Sequence, residues 1–116
     1  MLPFYSDPAT AIKRSRPKYD LAEVARLARQ RRVIATRRVI SWLMNHDYDA
    51  AESLIDVLTS LEAGGRWVGS AELKNGEVAD EYVVACGDED WYVKFYVDGA
   101  EVVVNVWSCC WDGAVH

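Results

Sequence analysis

The sequence predicts an α+β fold in which three N-terminal helices pack on one face of a four-stranded antiparallel sheet. Three observations lead there: apolar residues recur at helical spacing as far as Leu61, the period drops to two from Arg66 onward, and turn signals cut the second half into four segments. The 116 residues suit one domain, and 51% hydrophobic content suffices for a core without covalent staples. No apolar run approaches the roughly 18 residues of a membrane span, so no membrane association is expected. The opening residues hold Pro3, Asp7 and Pro8 rather than a basic head and an apolar stretch, which points to the cytoplasm.

Taken in order, residues 1–18 lack periodicity and read as an irregular lead-in, so the domain is expected over 19–116. Asp20 and Glu23 have capping-box spacing, and Leu21, Val24, Leu27 and Ala28 follow on one helical face. Arg26, Arg29, Arg31 and Arg32 then fall on the outer face and C-terminal end, where cations suit the helix dipole. Val33 to Ala35 is a short β-branched piece. Thr36 is the expected N-cap of a second helix bearing Ile40, Leu43 and Met44, which ends near Asn45 with His46 as a capping residue. Asp49 and Glu52 repeat the capping box, Leu54, Ile55, Leu58 and Leu61 share a stripe, and Gly64-Gly65 stops the third helix.

The strands are expected at 66–73, 77–85, 91–97 and 100–109. Asn75-Gly76 and Asp98-Gly99 supply hairpin turns, and residues 87–90 a polar loop. Alternation in the third strand sets Trp91, Val93, Phe95 and Val97 against Tyr92, Lys94 and Tyr96. The first set faces the helices and the second faces away.

Charge is distributed unevenly. Residues 1–38 hold ten Lys and Arg against three Asp and Glu, whereas residues 39–116 hold three against fifteen. The basic segment can neutralise the acidic remainder within one fold, or meet phosphates or an acidic partner, and the strength of the acidic half favours the first. Cys86, Cys109 and Cys110 are an odd set with two adjacent, so buried thiols are expected rather than a disulfide or a zinc site. No cofactor and no metal is expected.

The order of elements and the words on them resemble the MqsR-type toxins over residues 19–107. The similarity begins with a helix opening on Tyr19-Asp20-Leu21, a β-branched dipeptide ahead of a second helix, and a third helix. The family's F-Y-K-S strand corresponds to Trp67-Val68-Gly69-Ser70, and its W-Q-D-x-Y strand to Val78-Ala79-Asp80-Glu81-Tyr82. Its x-Y-[LV]-K-[FI] strand corresponds to Trp91-Tyr92-Val93-Lys94-Phe95, and its closing [VI]-x-S-F-[KH] to Val103-Val104-Asn105-Val106-Trp107. The resemblance implies a RelE-like two-layer sandwich acting as a toxin of a type II toxin-antitoxin system. It further implies an endoribonuclease that cuts messenger RNA without ribosome or metal and is held inactive by a cognate antitoxin protein. Of the family's four polar positions, only Tyr92 is kept; Gly69, Ala79 and Trp107 stand where a lysine, a glutamine and a lysine or histidine are expected.

Metal-independent RNA cleavage needs a base near the 2′-hydroxyl, cations on the phosphate and an acid for the departing oxygen. Tyr92 and Lys94 lie two residues apart on one strand face, roughly 6 to 7 Å between Cβ atoms, a spacing that brackets a phosphate. With Arg66 as a second cation they form the candidate catalytic set. Tyr82, Tyr96 and Trp107 are candidates for stacking on bases of single-stranded RNA, and Arg37 and Arg38 for gripping its phosphates. The identity of the base is open, with His116 one substitute. Against this chemistry stand the local acids, Glu81 among them, and a Tyr-x-Lys-x-Tyr strand is also what an ordinary solvated sheet face looks like, stabilised by a pair such as Lys94 with Glu101. The competing function is a fold that has lost catalysis and serves as a protein-binding or regulatory module.

Overall fold

The computed structural model describes residues 9–114, so His116 lies outside the described residues. In chain order the elements are β1 (Ala9–Ile12), α1 (Leu21–Arg29), β2 (Val33–Ala35), α2 (Arg37–Asn45), α3 (Ala50–Gly64), β3 (Arg66–Leu73), β4 (Val78–Cys86), β5 (Glu89–Asp98) and β6 (Val103–Trp111).

The architecture corrects the expected sheet. Six strands are ordered β1-β3-β4-β5-β6-β2, and β2 runs parallel to β6, so the sheet is mixed rather than four-stranded and antiparallel. Nor do the helices form an N-terminal block, because β1 precedes α1 and β2 separates α1 from α2. The α+β class and three helices remain. The physical reason is one of length. The four residues of β1 and the three of β2 are too short to show alternation, and their partners, Ser70 to Leu73 and Val104 to Val106, are distant in sequence.

Local chemistry sets the helix starts. Asp20 caps α1 by accepting from the Ala22 N–H at 3.2 Å, while Glu23 turns outward to Arg26 at 2.6 Å, so only half of the expected capping box forms. Thr36 accepts from the Val39 N–H at 3.3 Å and Asp49 from the Glu52 N–H at 3.0 Å. α3 lies over β4 and α2 over β6. One core unites Val24, Leu27, Leu43, Leu58 and Leu61 of the helices with Tyr82, Val93, Phe95, Val104 and Val106 of the sheet. Each such side chain contributes roughly 1.5 to 3 kcal/mol by leaving water.

Part of the basic segment is engaged within the fold. Arg29 meets Glu62 of α3 at 3.6 Å, Arg31 pairs with Glu52, and Arg32 donates to the Val102 carbonyl at 2.7 Å and to that of Glu101. Arg32 thereby clamps the β5–β6 turn. That turn is longer than an Asp-Gly hairpin: Asp98 pairs with Val103, and the left-handed conformation falls on Val102, with φ of 55°. Lys94 stands opposite Ser108 on β6 and not opposite Glu101.

Asp80 anchors the approach to α1. Fully buried, it accepts from the backbone N–H groups of Lys18 and Tyr19 at 2.8 and 2.9 Å and from the Ser70 hydroxyl at 2.8 Å. A buried carboxylate is tolerated there because three donors replace its water.

Candidate functional site

Strand register builds the face turned away from the helices. Across β3, β4, β5 and β6, one row reads Arg66, Val83, Tyr92 and Cys110, and the next reads Gly69, Glu81, Lys94 and Ser108. An irregularity between Trp67 and Gly69 restores this alignment on β3, and a bulge places Trp107 as an extra residue in β6 between Val106, opposite Phe95, and Ser108, opposite Lys94. Arg66 and Tyr92 are separated by one strand, about 10 Å at the usual strand spacing. An arginine reaching over Val83 spans most of that gap.

Glu81 is the centre of the arrangement. It stands directly opposite Lys94, and the Tyr92 hydroxyl donates to its Oε2 at 2.6 Å. Its other oxygen faces Gly69, where a Cβ, were one present, would meet Glu81 Oε1 at 3.4 Å and nothing else nearby. The carboxylate therefore lies in van der Waals reach of the space over Gly69 without filling it. Tyr92 and Glu81 are half-buried, whereas Lys94 is only 7% exposed. The site is thus a carboxylate bound by a phenol, with a lysine directly opposite in the strand register and an arginine in the adjoining row.

The remaining candidates divide. Tyr96 shares the outer face but is buried, its hydroxyl accepting from Asn75 Nδ2 at 3.3 Å, and desolvation raises its phenol above the ordinary range. Trp107 packs against Leu73, Ala79 and Tyr96 and is half-buried, so part of its ring reaches solvent. Arg38 comes to the same edge, donating to the Trp107 carbonyl at 2.6 Å. Arg37 is exposed in the first turn of α2. Tyr82 does not belong to the face, and its expected role in base stacking is corrected: opposite Val93 it points beneath the helices, stacks on Phe95 at 6.0 Å and is 3% exposed. Burial, with the charge of Asp80 adding to it, pushes its phenol up to about 12.

Glu81 was legible as a face residue, since Ala79, Glu81 and Val83 alternate with Asp80, Tyr82 and Val84. What sequence could not supply was register, which turns a repelling acid into the partner of Tyr92 and Lys94. Other acids share this strand face, Asp90 two residues before Tyr92 and Asp98 two after Tyr96, and Glu77 and Asp98 add to the rise of the Tyr96 phenol. Asp88 and Glu89 instead line an open cleft of about 370 Å³ with Tyr48, Asp56, Cys86 and Trp91. No group of three His, Cys, Asp or Glu able to hold a metal occurs among the described residues. Cys109 and Cys110 are buried thiols, with Cys110 pushed up to about 11 chiefly by desolvation, and neither is a nucleophile at neutral pH.

No family model matches the chain, and no curated protein or solved structure matches it. No helix among the described residues is long and apolar enough to cross a membrane.

Proposed function

We propose that this protein is an endoribonuclease of the MqsR-like kind, cutting single-stranded messenger RNA in the cytoplasm without a metal and restrained by a cognate antitoxin. The observation that supports it is the convergence of Tyr92, Lys94 and Arg66 on the sheet face left open by the helices. Cationic and phenolic donors so grouped can bind a phosphodiester and stabilise the charge that gathers on it in the transition state. Trp107 and Arg38 at the neighbouring edge suit a base and a phosphate of the same strand.

The test is direct. Purified protein incubated with single-stranded RNA and a chelator is expected to give fragments ending in 2′,3′-cyclic phosphate and 5′-hydroxyl groups, and Lys94→Ala to abolish them. Expression without a partner is expected to arrest growth, and the same substitution to relieve the arrest. Intact RNA and unimpaired growth would refute the reading.

A second reading, a protein-binding module without turnover, draws on Gly69, Ala79 and Trp107 at the family's polar positions and on the near-complete burial of Lys94. It expects harmless expression.

A further inference from the structure

We infer that Glu81 is the general base of the reaction, with Tyr92 as its proton partner and the space over Gly69 as the seat of the attacked ribose. The inference rests on the endoribonuclease reading and supplies the base that the family's words leave unassigned in this chain. Glu81 has two distinguishable oxygens. Oε2 is occupied by the Tyr92 hydroxyl at 2.6 Å, while Oε1 looks across Gly69. A residue with any side chain at position 69 would stand against that oxygen; glycine leaves it open to a ligand.

Glu81 Oε1 takes the proton of a ribose 2′-hydroxyl, and the 2′-oxygen forms a bond to the adjacent phosphorus as the bond from phosphorus to the 5′-oxygen breaks. The departing 5′-oxygen takes the Tyr92 hydroxyl proton. The carboxyl, protonated on Oε1, then rotates to present that proton to the phenolate and restores the hydrogen bond, leaving both groups as they began. Products are a 2′,3′-cyclic phosphate and a 5′-hydroxyl; no oxidant, metal or further reactant enters. Lys94, directly opposite Glu81, and Arg66 in the adjoining row carry the positive charge that the pentavalent phosphorus needs. Among the described residues, strand register places Lys94 directly opposite Glu81, Tyr92 within a hydrogen bond of it and Arg66 in the adjoining row, with Asp90 beyond Tyr92 on the same face of β5; Gly69 and Ser108 carry no charge.

Glu81→Gln keeps shape and an acceptor for Tyr92 but cannot take a proton. It is expected to lower kcat about a hundredfold or more while RNA affinity changes little, and to erase the acid-side rise of the pH–rate profile. Glu81→Asp, which retains a carboxylate, is expected to keep that rise with a smaller loss. A substrate with a single 2′-deoxy sugar at the cleaved position is expected to resist the wild type. Thermal melting of each variant confirms folding. If wild-type protein cleaves and Glu81→Gln cleaves equally with the same pH profile, the base assignment fails and the endoribonuclease reading stands. If wild-type protein cleaves no RNA, both fail together.

Discussion

Removing the Asp80 carboxylate tests how the chain entering α1 is tied to the sheet. Asp80→Ala deprives the Lys18 and Tyr19 N–H groups and the Ser70 hydroxyl of their acceptor. An amide left unpaired costs about 1 to 3 kcal/mol, and the hydroxyl, which can rotate, about 1 at most. Because the two amides are only part-buried, water recovers some of that, and the expected loss is about 3 kcal/mol. Asp80→Asn keeps one acceptor oxygen for the amides and is expected to cost about 1 kcal/mol, the charge-assisted part of the bonds. Equilibrium unfolding in urea reads both. At a slope of about 1.5 kcal/mol per molar, the midpoint should fall by about 2 M for Ala and under about 1 M for Asn. A fall of less than about 0.5 M for Ala, or equal damage from both variants, would refute the view that these hydrogen bonds hold the segment.

Other outcomes follow from single features. Val102→Gly is expected to raise stability by about 1 kcal/mol, because a β-branched residue is strained at φ of 55° and this one is exposed; an unchanged melting temperature would count against the strain. Leu58→Ala, at a position with no exposure, is expected to cost about 3 kcal/mol by denaturant titration, and a loss below about 1 would mean that the core collapses to fill the space. Tyr19 and Tyr82 are both pushed from 10 to about 12, chiefly by burial. Raised phenols make the folded state hold their protons more tightly than the unfolded state does. Their stabilisation is therefore complete below pH 10 and lost as pH rises toward 12, so the melting temperature should drop across that window, and a flat profile there would contradict their burial.

Legibility followed the length of the repeating pattern. α3, with fifteen residues, a capping aspartate and a glycine stop, is where the sequence puts it, and Arg66–Leu73 matches to the residue. The alternation of β5 assigned Tyr92, Lys94 and Tyr96 to one face and Trp91, Val93 and Phe95 to the other without error. Ala9–Ile12 escaped, and Val33–Ala35, marked as a β-branched piece, was not counted as a strand, because three or four residues contain too few alternations and their pairing is decided by tertiary contacts. The Trp107 bulge was invisible for a related reason, since an extra residue shows itself only against a partner strand. Tyr82 was misassigned because a tyrosine is equally at home in a core and on a surface; the alternation that puts Glu81 on the outer face puts Tyr82 on the other, as its opposition to Val93 shows. Glu81, read by its charge, acquires meaning from the two neighbours that cross-strand pairing gives it.

The position of β6 between β5 and β2 has a bearing on biosynthesis. During translation, β2 and all three helices leave the ribosome long before the strand that must be slotted in beside them. A nascent chain halted ahead of Val103 leaves Val33 and Ala35 without their neighbours, and β5 with a bare border. Assembly of this side of the molecule therefore waits for the final strand, and premature termination yields no miniature version of the native sheet.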